Sequence, residues 1–318
     1  MVLTIVKAIS GETARTVSFT DRVPPHLWFV GSAIFHYLGP SFAVLLFVRV
    51  PVGGVAWLRI VSAAVVFAVW RRPWRSFFAA DRSTQRAMVA LGSVFAIMNY
   101  SFYVAIDRLP LGTVAAIEFV GPILLALTGS RTRRNLVALA LAVTGVYLLT
   151  DVRFAGDPGA FAWAFANAAL FTLYIVLAHR IARADTTTSP IDRLGAAMII
   201  AGIVITPLGF FDAIPALTDP IVLLAGIGVG LTSSVIPYVF DQMAMQRLPR
   251  ATYALFVALL PATAVIIGVI IGVIILALIP RPVEVAAVGL VIAGVLTHQE
   301  PAQNDQPTTR TPGTPDRA

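Results

Sequence analysis

The chain has 318 residues, of which 58% are hydrophobic and only 12% charged, with a mean hydropathy of +0.85, whereas soluble domains carry about a quarter charged residues. No soluble fold hides that much apolar surface, so the composition specifies an integral membrane protein. The absence of cysteine excludes disulfides, thiolate metal sites and thiol nucleophiles, and the net charge of +7 reports membrane topology rather than nucleic-acid binding once the basic residues are located.

Residues 1–25 contain Glu12 and Asp21 and no apolar core of signal-peptide type, so they read as a cytosolic leader. Ten apolar runs follow, near 27–48, 52–70, 87–106, 111–129, 135–150, 159–179, 194–211, 221–241, 251–278 and 283–297. A helix needs about 20 residues to cross the hydrocarbon layer; the fifth and tenth runs are short and span by straightening or by local thinning of the bilayer. The runs are uninterrupted rather than alternating, which predicts helices and not barrel strands. The tail, 298–318, is rich in Pro, Thr, Gln and Asp and reads as a disordered cytosolic segment. No connection is long enough for a soluble catalytic domain.

Arginine collects in alternate connections: Arg71, Arg72, Arg75, Arg82 and Arg86; Arg131, Arg133 and Arg134; Arg180, Arg183 and Arg193; Arg247 and Arg250. These loops are predicted to face the cytoplasm. The intervening loops hold only Arg49, Arg108, Arg153 and Arg281, and Lys7, Arg15 and Arg22 precede the first span. The expectation is a multi-pass protein of the cell inner membrane with both termini inside.

Arg108-Leu109-Pro110 followed by Pro122 reappears as Arg247-Leu248-Pro249 followed by Pro261, a shift of 139 residues that also carries Ala105, Thr113 and Ala115 onto Ala244, Thr252 and Ala254. Ten spans in two matched halves, 26–150 and 151–297, give five per half, and an odd number reverses the direction of the second half. The predicted fold class is an all-α integral membrane protein of ten transmembrane helices in two inverted five-helix repeats, an architecture of secondary transporters. The second copy is longer, partly because Ile266-Ile267-Gly268-Val269 is repeated as Ile270-Ile271-Gly272-Val273. Four residues is about one helical turn. Gly268 and Gly272 form a GxxxG pair suited to close helix approach or to ordinary packing.

Ionisable residues inside spans are costly, by roughly 2.5 kcal/mol or more each, and the candidates are Arg59, Glu118 and Asp241. Arg59 and Glu118 can form an interhelical ion pair that fixes packing, or hold the charged ends of a zwitterionic substrate. Glu118 lies four residues before Pro122, which frees backbone groups beside it. Asp241 reads either as a functional carboxylate or as an interfacial one. Asn99 and Tyr103 share a helical face, and Tyr238 and Gln242 occupy the matching places one repeat later; they line a cavity or make interhelical hydrogen bonds. His36, beside Gly39-Pro40, is a packing residue or a proton relay.

The run Met98-Asn99-Tyr100-Ser101-Phe102-Tyr103, then Leu109-Pro110-Leu111-Gly112, then Glu118-Phe119-Val120-Gly121-Pro122, with Leu58-Arg59, Pro73-Trp74-Arg75, Pro237-Tyr238 and Arg247-Leu248-Pro249, resembles the threonine/homoserine exporter branch of the EamA-type drug/metabolite transporters. The resemblance covers about residues 27–297. It implies a ten-helix inverted repeat, a central cavity, and proton-driven export of amino acids or related metabolites. By position, Arg59 matches the family's second-helix arginine, Glu118 its acid before Gly-Pro, and Asp241 the acid three residues after Pro-Tyr. The chain departs in one place, with Leu260 where such transporters commonly carry Glu before the second-half proline.

The expected function is therefore secondary active export of small amino acids such as threonine or homoserine, by proton antiport with alternating access. Substrate binding is expected from Arg59, Asn99, Tyr103, Glu118, Tyr238 and Gln242, proton coupling from Glu118 and Asp241, and hinge motion at Pro122 and Pro261. Coupling requires a carboxyl whose proton affinity is raised by burial. The partners expected are the small-molecule substrate, protons and the bilayer, with no nucleic acid, metal or cofactor. A broad-specificity drug/metabolite exporter is the alternative. A passive channel or an intramembrane enzyme is the alternative of another class; the sequence lacks filter-like loops, HExxH, Gly-x-Gly-Asp and a plausible Ser/His couple.

Overall fold

A computed structural model of the chain describes residues 23–109, 111–126, 132–149, 157–184 and 188–258, with the isolated positions 282, 286, 289, 290, 293 and 297 beyond them. Among the described residues every regular element is helical: α1 (Pro25–Leu46), α2 (Val52–Arg71), α3 (Trp74–Ala79), α4 (Arg82–Arg108), α5 (Leu111–Ala126), α6 (Arg133–Leu149), α7 (Pro158–Ala182), α8 (Pro190–Leu217), α9 (Pro220–Gly230), a π turn at Leu231–Val235 running into α10 (Ile236–Met245), and α11 (Arg250–Ala258). Five of these, α2, α4, α7, α8 and the continuous Pro220–Met245 helix, are long and apolar enough to cross a membrane. Large apolar side chains such as Val69, Ile203, Phe211, Ile221 and Leu224 point outward, as a lipid-facing surface requires.

The helix starts are written in short caps. Asp157, Ser189 and Asp219 each accept a backbone N–H from the first turn, and each is followed by a proline, whose fixed φ and missing N–H suit the first helical position. Asp81 caps α4 through the Ser83 amide at 2.9 Å, so that helix begins at Arg82 rather than near residue 87. The Ser189-Pro190 start likewise carries α8 from Pro190 to Leu217, beyond the expected 194–211, with Pro207 and Pro215 accommodated inside it. α2 ends with Arg72 in the left-handed region, φ 48° and ψ 53°, its N–H returning to the Ala68 carbonyl, and the short α3 that follows was not expected.

α2 packs against α8, α4 against α7 and α8, α9 against α2, α1 against α10, and α5 against α7 and α11. α1 also meets α11 through Phe29–Tyr253 and Phe29–Phe256 ring contacts at 5.9 and 5.5 Å. The α2–α8 crossing depends on missing side chains: a Cβ at Gly54 would overlap the Asp212 carbonyl, and one at Gly209 the Gly53 carbonyl.

Polar contacts tie helix ends together. Where α1 and α4 finish, Arg108 lies 3.2 Å from Asp157 and Arg49 lies 3.8 Å from Asp219. At other helix ends, Arg247 donates to the Val23 carbonyl at 3.0 Å, Arg180 to Ser83 Oγ at 3.0 Å, and Arg71 pairs with Asp192 at 2.5 Å. Leu260, Pro261, Gly268, Gly272, the leader before residue 23 and the tail 298–318 lie outside the described residues.

Candidate functional site

Pro237 has no amide hydrogen, so the Ser233 carbonyl four residues earlier lacks its α-helical donor, and the backbone there widens into the π turn. Arg59 of α2 supplies the missing donor: Nη2 donates to the Ser233 carbonyl at 2.9 Å, Nε to Ser234 Oγ at 2.8 Å and Nη1 to the Tyr103 hydroxyl at 3.3 Å. The guanidinium carbon also sits 5.7 Å from the centroid of the Tyr103 ring. Arg59, only 5% exposed, thus joins α2, α4 and the π turn. Three of its five N–H donors are used in these bonds, which leaves two outside them.

Glu118 stands on α5, where Pro122 repeats the same backbone logic by removing the amide that would bond the Glu118 carbonyl. Its carboxylate Oε1 accepts the Asn167 Nδ2–H from α7 at 2.8 Å. Asn167 is fully buried, and its Oδ1 has no partner among the described residues. Arg59 and Glu118 lie within electrostatic reach of each other, yet among the described residues they form no ion pair. The ion-pair reading is therefore corrected: Arg59 is held by Ser233, Ser234 and Tyr103, and Glu118 by Asn167.

Asp241 is 2% exposed, which corrects the interfacial reading. Ser32 Oγ of α1 donates to Asp241 Oδ1 at 2.5 Å, His36 Nε2 lies 3.7 Å from Oδ2, and the Tyr253 hydroxyl of α11 bonds the same carboxylate. His36 also places Nδ1 3.1 Å from Ser32 Oγ. The expected pairs on α4 and α10 are all buried, but their roles divide. The Asn99 amide donates to the Phe95 carbonyl of its own helix at 2.8 Å, whereas both side-chain polar atoms of Gln242 are buried without a partner among the described residues.

No family model matches the chain. It is 31% identical to threonine/homoserine exporter RhtA of Escherichia coli K12 over 259 residues, covering 80% of this chain and 84% of that protein, and 32% identical to threonine/homoserine exporter RhtA of Salmonella typhimurium SL1344 over 72% of this chain and 77% of that one. The chain belongs to the threonine/homoserine exporter branch of the EamA-type drug/metabolite transporters. A solved crystal structure superimposes on this exporter-family chain with a TM-score of 0.63 at 15% identity, over 86% of this chain and 95% of the other, so the two share a fold.

In this EamA-type chain a group of rings packs against His36 of the Asp241 cluster. Tyr238 packs edge-on against Phe95, Tyr174 and His36 at 4.7, 5.4 and 5.1 Å, and Phe171 stacks on Tyr174. Sequence reasoning missed Asn167, Ser32, Tyr174, Tyr253 and the Ser233-Ser234 pair. For Asn167 a signal existed: an amide in the middle of an apolar run is the feature that singled out Asn99. Ser233 is marked by standing four residues before a proline. Among the described residues no cluster of His, Asp or Glu could hold a metal.

Proposed function

We propose that this chain is a secondary active exporter of small zwitterionic amino acids of threonine or homoserine type, acting in the cell inner membrane by proton antiport with alternating access. The observation that carries the reading is the placement of Arg59 and Glu118: a buried arginine and a half-buried glutamate on different helices, each held by neutral partners, not joined to each other. A zwitterion supplies the two complementary charges, its carboxylate toward the two spare N–H groups of Arg59 and its ammonium toward Glu118. Tyr103 and Gln242 join them as binding residues, with Asn99 and Tyr238 shaping the walls. Membership among exporters favours a carrier over an enzyme or a channel.

The ten-helix inverted repeat is supported by the exchange pattern of the packing. Under a swap of halves α1, α2, α4 and α5 become α7, α8, α9–α10 and α11, which turns the α4–α7 contact into α10–α1, the α4–α8 contact into α9–α2, and the α5–α7 contact into α11–α1. Arg108 reaching the start of α7 then becomes Arg247 reaching the start of α1, 139 residues on. With both termini cytoplasmic, the Arg108 end faces outward and the Arg247 end inward. Pro122 and Pro261 are the proposed hinges. Glu118 is the leading proton carrier and Asp241, held beside His36, the second.

The test is efflux of labelled homoserine and threonine from cells lacking their own exporters, with and without an uncoupler, beside Glu118→Gln. Uncoupler-sensitive efflux that the variant loses while still inserting supports both substrate class and coupling residue. No efflux from well-inserted protein rejects the amino-acid reading, and unchanged flux in the variant removes Glu118. The aromatic group around Tyr238 favours a second reading, a broad drug/metabolite exporter, which predicts efflux of planar aromatic compounds in the same cells.

A further inference from the structure

We infer that Asn167 is a substrate-binding residue that, together with Glu118, forms a subsite for a primary ammonium group; the inference deepens the amino-acid export reading and rests on it for the choice of substrate. The side-chain amide of Asn167 is committed in one direction only. Its Nδ2–H donates to Glu118 Oε1, which is the orientation a carboxylate selects, since the reverse would set two acceptors against each other. Oδ1 takes no part in that bond and is left beside the Glu118 carboxylate, fully buried and without a donor among the described residues. Buried acceptors in native structures are almost always paired, so an unpaired one calls for a partner from outside the chain.

The neighbouring backbone adds to the same imbalance. Pro122 deprives the Glu118 carbonyl of its usual amide donor, so the carboxylate, this carbonyl and Asn167 Oδ1 offer acceptors. Arg59, whose charge is within reach, directs donors instead to Ser233, Ser234 and Tyr103. A ligand that answers this set must be a compact cation with several N–H donors and no acceptor, which describes a primary ammonium. A quaternary ammonium offers no N–H, and a neutral hydroxyl brings an acceptor of its own.

The test is thermal stabilisation of purified full-length protein by homoserine, by its decarboxylated amine 3-amino-1-propanol, and by the ammonium-free 2,4-dihydroxybutyrate, in wild type, Asn167→Leu and Asn167→Asp. Leu removes both amide functions at similar size, whereas Asp keeps acceptors and, sharing one proton with Glu118, replaces the amide donor. The expected result is stabilisation by the two amines at concentrations at least about tenfold below those needed for the hydroxy acid, as for a site that loses a hydrogen-bonding partner. Asn167→Leu should lose that discrimination and Asn167→Asp should keep it. Equal weakening of all three ligands in Asn167→Leu, or unchanged discrimination, overturns the inference, as does stabilisation by none of the amines; the first would mean that Asn167 only positions Glu118 or the fold. The unliganded melting temperature of each variant separates folding from binding. Absence of homoserine efflux alongside amine-specific stabilisation would reject the export reading while leaving the ammonium subsite standing.

Discussion

The Arg108 guanidinium lies 3.2 Å from Asp157, and Asp157 at the same time caps α7 by accepting the Gly159 N–H at 3.0 Å. One carboxylate therefore serves the start of a second-half helix and an arginine at the end of a first-half helix. The Gly159 amide first, and Arg108 after it, hold the Asp157 carboxyl below the usual carboxylate range. A group depressed in the folded state contributes stability above its unfolded pKa and loses it only as pH falls through the lower folded value.

The contact should consequently be indifferent to pH between about 5 and 8. Because the chain has no cysteine of its own, a single Phe102→Cys substitution beside Tyr103 gives a clean probe. Labelling by a membrane-impermeant maleimide, corrected against a free thiol, should be flat over that range, and Asp157→Asn or Arg108→Gln should accelerate it throughout. Labelling that rises in wild type at pH 5 would show that the contact is not governed by this carboxylate.

Arg59→Lys should not substitute for arginine. An ammonium is a point charge and cannot reach the Ser233 carbonyl, Ser234 Oγ and the Tyr103 hydroxyl with fixed geometry, and a carbonyl left unpaired costs about 1–3 kcal/mol. Transport should fall by about tenfold or more with a lower melting temperature. Pro237→Ala approaches the same joint from the other side: it returns an amide to the Ser233 carbonyl, tightens the π turn and should reduce flux without loss of expression. Wild-type flux in Pro237→Ala would separate the turn from transport.

The α2–α8 crossing should be intolerant of size. Gly54→Val drives a side chain into the Asp212 backbone, and overpacking of this kind costs about 1–3 kcal/mol. Gly228 has open space around it, so Gly228→Ala is the matched control and should be neutral or slightly stabilising. Thermal unfolding of the two variants side by side decides the point; equal stability would mean that the crossing relaxes.

Asp241 admits a similar split. Asp241→Leu leaves the Ser32 and Tyr253 hydroxyls without their acceptor and should destabilise by about 1–3 kcal/mol for each, whereas Asp241→Asn preserves an acceptor and the fold. Uncoupler-sensitive efflux that survives in Asp241→Asn would assign coupling to Glu118 alone, and its loss would place Asp241 in the proton path.

Among the described residues the positions of the long helices were legible because long apolar stretches have few other fates, and Arg59, Glu118 and Asp241 stood out as candidates because charge in such a stretch is conspicuous. Their partners were less so. Nothing in local sequence says that Asn167 of α7 will face Glu118 of α5, since that depends on how two helices 49 residues apart are rotated. The two ends of α8 were misjudged because the apolar run is broken at Asp192-Arg193 and at Asp212, while helical hydrogen bonding continues from the Ser189 cap to Leu217. Burial of Asp241 was hidden for a related reason: depth along a helix is readable from the nearest loop, but cover from α1 and α11 is not.

Arg193 belongs to the basic loops that the arginine pattern predicts to face the cytoplasm, yet in the folded protein it is 1% exposed and donates to the Ile181 and Thr188 carbonyls. The two situations are successive in time. While the chain is being threaded into the bilayer, that charge is still in water and weighs on which side the α7–α8 connection is retained. Once the hairpin closes, the same guanidinium is withdrawn from water and ties the connection shut. A neutral replacement should therefore be felt twice, first as a fraction of misoriented chains at biogenesis and then as a looser hairpin in those correctly inserted.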